Sequence, residues 1–209
     1  MQEVREFAEL VARLLAAPRK GRRRLIALAG PPASGKSTLA KDLVHVMGQA
    51  GIKAEVVPMD GFHLDNRVLA ARDMLSRKGA PETFDAIGFL NLARRLGQAE
   101  DVVFPIFDRS HDISIAGAGV VGSSCDTVIL EGNYLLFDAP VWRDLRPLWD
   151  VGVALQVSAD VLQERLVARW LDHGLPQAEA ERRTRENDMP NAARVEASMT
   201  PFDIVFGEI

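Results

Sequence analysis

Apolar residues recur at helical spacing near the start of the chain. Val4, Phe7, Leu10, Val11, Leu14 and Leu15 fall on one face of a helix predicted over residues 2–17, and Pro18 closes it. The pattern then changes to short unbroken apolar runs. "RLIALAG" predicts a buried strand ending in glycine, and "KAEVVPMD" a second one, in which Pro58 limits pairing. "DVVFPIFD", "DTVILEG" and "VGVALQV" read as further strands, and a short apolar "DIVFGEI" ends the chain. Between them the period returns to that of a helix: "KSTLAKDLVHVMGQAG", "LDNRVLAARDMLSRKG", "FDAIGFLNLARRLG", the short "VWRDLRPLWD", "SADVLQERLVARWLDHG" with Ser158 as N-cap, and the charged "QAEAERRTREND".

Apolar strands alternating with helices predict an α/β three-layer sandwich, with about five parallel strands and helices on both faces. Neither a repeat nor a linker interrupts the pattern, so residues 1–209 are expected to form one domain. The stretch from about 58 to 115 is longer than one crossover needs and is expected to build the substrate side of a site.

Composition narrows the picture only a little. With 47% hydrophobic and 26% charged residues among 209, the chain has the make-up of a globular domain. Its net charge of −4 gives no general reason to expect nucleic acid or an acidic membrane. Cys125 is the only cysteine, which excludes an intramolecular disulfide and fits a reducing, cytoplasmic setting. It reads as a small buried hydrophobe, and no Cys/His pair has zinc-site spacing. No apolar run approaches the ~20 residues of a membrane span. The basic "RKGRRR" lacks interleaved aromatics and reads as a solvated linker. Trp142, Trp149 and Trp170 fall in helical apolar patterns, as core or interface anchors.

The chemistry concentrates in "GPPASGKST". Gly30 to Ser37 fits G-x-x-x-x-G-K-[ST], with an apolar strand before it and a helix after it. Backbone N–H groups of Pro32-Ala33-Ser34-Gly35-Lys36-Ser37-Thr38, proline excepted, are expected to curl round phosphate. Lys36 reaches the outer phosphates, and the Ser37 hydroxyl can ligate Mg²⁺. The ligand is predicted to be a nucleoside triphosphate. Two classes of user remain open, a kinase acting on a small molecule and a hydrolase that switches a protein partner. No N-K-x-D segment for guanine is present.

Three further places carry candidate chemistry. Asp60 follows the second strand, where a carboxylate can take a hydroxyl proton, hold Mg²⁺ through water, or merely open a turn with Gly61. Glu131 follows another strand and suits a metal shell or a salt bridge. Arg165 and Arg169 lie four apart on one helical face and can clamp phosphate or pair with Glu164 and Asp172. Arg182, Arg183 and Arg185 share that ambiguity as a dense surface run.

Together these segments resemble the group of P-loop small-molecule kinases that holds uridine kinase, phosphoribulokinase and bacterial pantothenate kinase. "MDGFH", "RKGAPETFD", "PIFDRSHDIS", "VILEGNYLL" and "RENDMPNAARVE" each resemble a segment of that group, from Leu25 to near the end. The last one is most like the bacterial subgroup labelled nucleoside/nucleotide kinase family or fructose-transport-associated kinase. The resemblance implies ATP and Mg²⁺, with Asp60 as base. It implies Ser37, Glu131 and Asp60 around the metal, and Arg165 and Arg169 in a lid over about 165–185. Acceptor contacts are implied for His63, Arg67, Asp108, Arg109, Asn133 and Tyr134. The implied partner is a small alcohol such as a sugar, nucleoside or pantothenate-like compound, with no nucleic acid or membrane, and a homodimer is compatible. Two departures stand out: Phe107 replaces the tyrosine of "P-x-Y-D", and His63 replaces the tyrosine after "MDxF". Both count against a pyrimidine nucleoside.

Overall fold

The computed structural model describes residues 1–207. Six parallel strands form the central sheet: β1 (Gln2–Val4), β2 (Arg24–Ala29), β3 (Ala54–Pro58), β6 (Thr127–Gly132), β7 (Val151–Gln156) and β8 (Ile204–Gly207). Their order is β1-β8-β7-β2-β6-β3, so the chain leaves β2 toward one edge and later returns to its other side. Ligands of open parallel sheets bind at such a switch point, beyond the carboxyl ends of the strands.

The middle strands are buried on both faces, which explains why they read as continuous apolar runs rather than alternating ones. Helices α1 (Phe7–Ala16) and α2 (Lys36–Gln49) cover one face, packing Leu10, Leu14, Leu43 and Met47 against Ile26, Leu28 and Ile129. Helix α4 (Ala86–Gln98) and the 3-10 segment Trp142–Leu148 cover the other, where Phe89, Leu96, Trp142 and Trp149 meet Leu25, Val128 and Leu130. Each fully buried leucine or phenylalanine contributes roughly 1.5–3 kcal/mol.

Several expectations change in the structure. The first helix starts at Phe7, because Gln2–Val4 pairs with β8 as an edge strand. The sheet therefore has six strands rather than about five. The run "DVVFPIFD" forms β4 (Val102–Asp108), but outside this sheet. It pairs antiparallel with β5 (Ile113–Val121), a glycine- and alanine-rich strand with no apolar alternation to announce it. The predicted helix from Leu64 shortens to α3 (Asn66–Ala71) followed by a 3-10 turn, Leu75–Arg77. The basic "RKGRRR" is not wholly a solvated linker. Arg23 is fully buried and donates to the carbonyls of Leu96, Ala99, Glu100 and Gly122, tying the chain before β2 to the end of α4 and to the loop after β5.

Beyond β7, helix α5 (Ala159–Asp172) is followed by α6 (Gln177–Arg183), a π turn over Thr184–Asp188, and α7 (Met189–Glu196). Leu162, Leu166 and Ala192 make a small core of their own here, and Ala33 of the phosphate loop packs on it. Ser158 occupies the N-cap of α5 but makes no capping hydrogen bond through its side chain. Cys125 is buried and its thiol donates to the Thr127 carbonyl at 3.2 Å. No helix among the described residues is long and apolar enough to cross a membrane. Glu208 and Ile209, the end of the terminal apolar segment, lie outside the described residues.

Candidate active site

The loop between β2 and α2 opens the site. Gly35 has φ 92° and Ala33 has φ 61°, so the chain curls through the left-handed region at both residues. Glycine takes this at no cost, whereas Ala33 stores strain of the kind found at ligand clamps. Helix α2 begins at Lys36 with no acidic residue in its first turn, leaving its positive end uncompensated. Lys36 is buried, and its Nζ donates to the Pro31 carbonyl at 2.7 Å. Burial lowers its pKa to about 8, against the opposing pull of Glu131 and Asp60. A buried ammonium beside a helix N-terminus is a site that an anion completes.

Two carboxylates face this loop because the strand ends are level. In the sheet register Glu131 lies beside both Leu28 of β2 and Pro58 of β3. Asp60 sits in the 3-10 turn Met59–Phe62 that follows β3 directly. The Ser37 hydroxyl donates to Glu131 Oε1 at 3.2 Å, and Glu131 is buried, which pushes its carboxyl above the ordinary range. A hydroxyl and a carboxylate oxygen joined this way, with a second carboxylate opposite, fit Mg²⁺. That ion takes oxygen donors and completes its shell with substrate phosphates.

Loop and carboxylates line one cavity of about 330 Å³. On its far wall Arg109, from the tip of the β4–β5 hairpin, donates to Asp60 Oδ2 at 2.8 Å. His63 lies between the rings of Phe84 and Phe107, with centroids 4.1 and 4.6 Å away. Its Nδ1 is 2.8 Å from the Asp60 carbonyl; since a carbonyl only accepts, Nδ1 carries the proton and Nε2 is left as an acceptor. Burial lowers the pKa of His63 and favours the neutral ring. Lys78 also lines the cavity, but its ammonium is spent on Asn66 Oδ1 at 2.7 Å and on the Asp112 carboxylate and carbonyl at 2.9 and 3.0 Å. It therefore fastens the hairpin tip to α3. The roof comes from α5, α6, the π turn and α7, which present Arg169, Trp170, Arg183, Asp188 and Asn191.

The structure brings Pro32, Ala33, Gly35, Lys36, Ser37, Thr38, Asp60, His63, Arg109, Glu131, Asn133 and Arg169 to the cavity. Ser34 is buried in the loop beneath it, with Oγ 3.5 Å from Lys36 Nζ. Four expected residues do not reach it. Arg165 is exposed on α5, one helical turn before Arg169. Arg67 is exposed and bonds Asp65, the N-cap of α3. Asp108 shapes the hairpin turn, accepting from Ser110 and His111, and these bonds hold its carboxyl well below the usual range. Tyr134 is buried, and its hydroxyl donates to the Gly79 carbonyl at 2.5 Å. Trp170 is only half-buried and turns toward the cavity, unlike the core residues Trp142 and Trp149.

Sequence reasoning missed Lys78, Asp112, Asp188 and Asn191. For the last two, Asn187, Asp188 and Asn191 fall at helical spacing with the apolar Ala192 and Val195, and all five are buried, so polar groups there need partners.

The sequence profile of the Phosphoribulokinase / Uridine kinase family matches residues 25–173, a span that holds the phosphate loop, Asp60, Glu131 and Arg169. A Schizosaccharomyces pombe protein with a provisional uridine kinase name is 34% identical over 217 residues, covering 99% of this chain and 92% of that one. The ATP-dependent kinase YFH7 of Lachancea thermotolerans is 31% identical over 196 residues, covering 73% of this chain and 56% of that protein. A crystal structure of a provisionally named fructose transport system kinase from Silicibacter sp. TM1040 is 50% identical. It covers 98% of this chain and 100% of that chain, with a TM-score of 0.94.

Proposed function

The chain belongs to the Phosphoribulokinase / Uridine kinase family and is a small-molecule kinase, and from that premise we propose its reaction and acceptor class. It transfers the γ-phosphoryl group of ATP to a hydroxyl of a small polar metabolite of sugar or polyol type. One observation carries this reading: Lys36, the Ser37–Glu131 pair and Asp60 converge from three strand ends on one cavity.

The roles follow from chemistry. The loop amides and Lys36 hold the phosphates, so that the terminal phosphorus faces the carboxylates. Ser37 and Glu131, with Asp60, would hold Mg²⁺, which neutralises charge on the phosphate oxygens. Asp60 accepts the acceptor's proton as the oxygen–phosphorus bond forms and the bond to the ADP oxygen breaks. In the free protein Arg109 occupies that carboxylate, and the incoming hydroxyl takes over one of its contacts.

The acceptor class rests on the aromatic rings. Phe107 already carries His63 against it and the Lys78 ammonium 5.1 Å from its centroid, while Phe84 and Tyr134 are buried. Among the described residues, these rings are thus already buried or engaged by other groups of the cavity, which disfavours stacking of a nucleobase. Polar groups remain instead: Asn133, Asn191, Arg109 and the His63 acceptor nitrogen. The test is ADP release from ATP and Mg²⁺ against sugars, polyols and nucleosides, with a no-acceptor control. Release should depend on a sugar or polyol, and Asp60→Asn should lower its rate about 10²-fold or more while ATP still binds. Release that ignores every acceptor would overturn the reading.

A further inference from the structure

Among the described residues, two arginines in the cavity roof, Arg169 and Arg183, have buried Nε atoms without a hydrogen-bond partner. The other charged groups lining the cavity are engaged by protein: Arg109 with Asp60, Lys78 with Asp112, Lys36 with the Pro31 carbonyl, Glu131 with Ser37 and Asp188 with Trp170. Guanidiniums left open in a polar cavity are waiting for an anion.

What holds them open is one side chain. The Arg183 guanidinium sits 4.2 Å from the centroid of the Trp170 ring, and that of Arg169 sits 5.4 Å from it. Both distances lie within the cation–π range, and indole is the strongest such partner. The indole Nε1–H donates to Asp188 Oδ2 at 2.6 Å, which fixes the ring and sets a negative charge behind it. Asp188 is buried, which pushes its carboxyl above the ordinary range, while the Trp170 N–H and the charges of Arg169 and Arg183 favour its ionised form. It thereby offsets the repulsion between two like charges held against one ring.

The backbone is built for this arrangement. On a regular α-helix, Arg183 and Asp188 would point about 140° apart, because five residues exceed one turn by that angle. The π turn over Thr184–Asp188 widens the helix and brings both side chains onto Trp170. Such turns cost hydrogen-bond geometry and concentrate at functional sites.

We propose that Trp170 and Asp188 are positioning residues that hold Arg169 and Arg183 as a two-armed clamp for the transferring phosphoryl group, Arg183 taking the place the sequence assigned to Arg165. The inference rests on the phosphoryl-transfer reading above. Its distinguishing test needs no acceptor: the affinity of the protein for Mg²⁺–ADP is compared with that for Mg²⁺–ADP–aluminium fluoride, which imitates the phosphoryl group in flight.

The wild-type protein should bind the fluoride complex at least about tenfold more tightly than ADP. Trp170→Leu and Arg183→Ala should lose most of that preference, with ADP affinity unchanged within about twofold. Trp170→Phe, which keeps a ring but not the N–H, and Asp188→Asn, which keeps an acceptor but not the charge, should fall between. They also guard against a variant that fails to fold. If the preference survives in all four variants, the clamp assignment is wrong. It is equally wrong if ADP affinity and melting temperature fall in parallel with the preference, since the pair would then be merely structural. A wild-type protein with no preference at all would instead overturn the phosphoryl-transfer reading, and this inference with it.

Discussion

The floor of the cavity takes its shape from consecutive residues between β2 and α2, whereas the opposite wall and roof are assembled from the hairpin tip, α5 and the helices after Pro176. On the floor the polar groups are buried and held close to the loop: Lys36 on the Pro31 carbonyl, and Glu131 by the hydroxyl of Ser37, near the end of an all-buried strand. On the wall they are held by other side chains, many of them part-exposed, as in Arg109 on Asp60 and Lys78 on Asn66 and Asp112. A phosphate chain is the same in every triphosphate, so a rigid, strained frame suits it. Acceptors differ, and side-chain pairs that can exchange partners suit them.

The strongest way to break this contrast is to remove the floor's one buried cation. Lys36→Met keeps the length of the side chain and deletes its charge. Turnover should fall by about 10²–10³-fold or more, the scale of losing one pre-set electrostatic donor. Stability should hold or rise, because burial of the ammonium is unfavourable in the free protein, as its lowered pKa of about 8 records. Thermal unfolding beside steady-state rates checks both. A large drop in melting temperature would mean that the floor is supported by Lys36 rather than strained around it.

A smaller effect is expected where floor and wall meet. A methyl group added at Gly61, next to Asp60, would collide with the backbone carbonyl of Pro105 in β4. Gly61→Ala should cost about 1–3 kcal/mol of stability, as overpacking does. It should also raise KM for the acceptor more than KM for ATP, since it displaces the hairpin and not the loop. Gly35→Ala gives the comparison: open space surrounds that position, but its φ of 92° makes the substitution a matter of local backbone strain, about 1–2 kcal/mol. Urea unfolding of the two variants separates contact from conformation.

The same contrast explains what could be read from the sequence. The loop is contiguous, and its residue types follow from backbone geometry, so Gly30 to Thr38 announced both its shape and its ligand. The central strands were equally plain, because double-sided burial leaves an unbroken apolar run. Arg165 and Arg169 had equal standing on spacing alone; only the packing of α5 leaves the first exposed and brings the second to the cavity. Arg23 stayed hidden in a basic run because its partners are carbonyls at Leu96, Ala99, Glu100 and Gly122, far along the chain. β5 stayed hidden because a hairpin strand exposed along most of its length needs no apolar alternation. Long-range partners and solvent-facing strands leave no periodic trace in sequence.

The smallest expected effect is also the most direct view of the floor. In the free protein Lys36 has a pKa of about 8, against an ordinary 10.5, so the folded state releases its proton first. Between those values the unfolded chain binds more protons than the folded one. This group's penalty is therefore full below about pH 8 and relieved as pH rises toward 10.5. Polyphosphate beside the ammonium should restore the higher pKa. Binding of magnesium-free ATP at pH 8 should then take up about half a proton at Lys36, and little at pH 6.5, where the residue is already charged. Calorimetric titrations in two buffers of different ionisation enthalpy measure that uptake, and Lys36→Met supplies the background to subtract. If the difference between wild type and variant is zero at pH 8, Lys36 is fully charged before ATP arrives, and the floor is less dehydrated than its geometry implies.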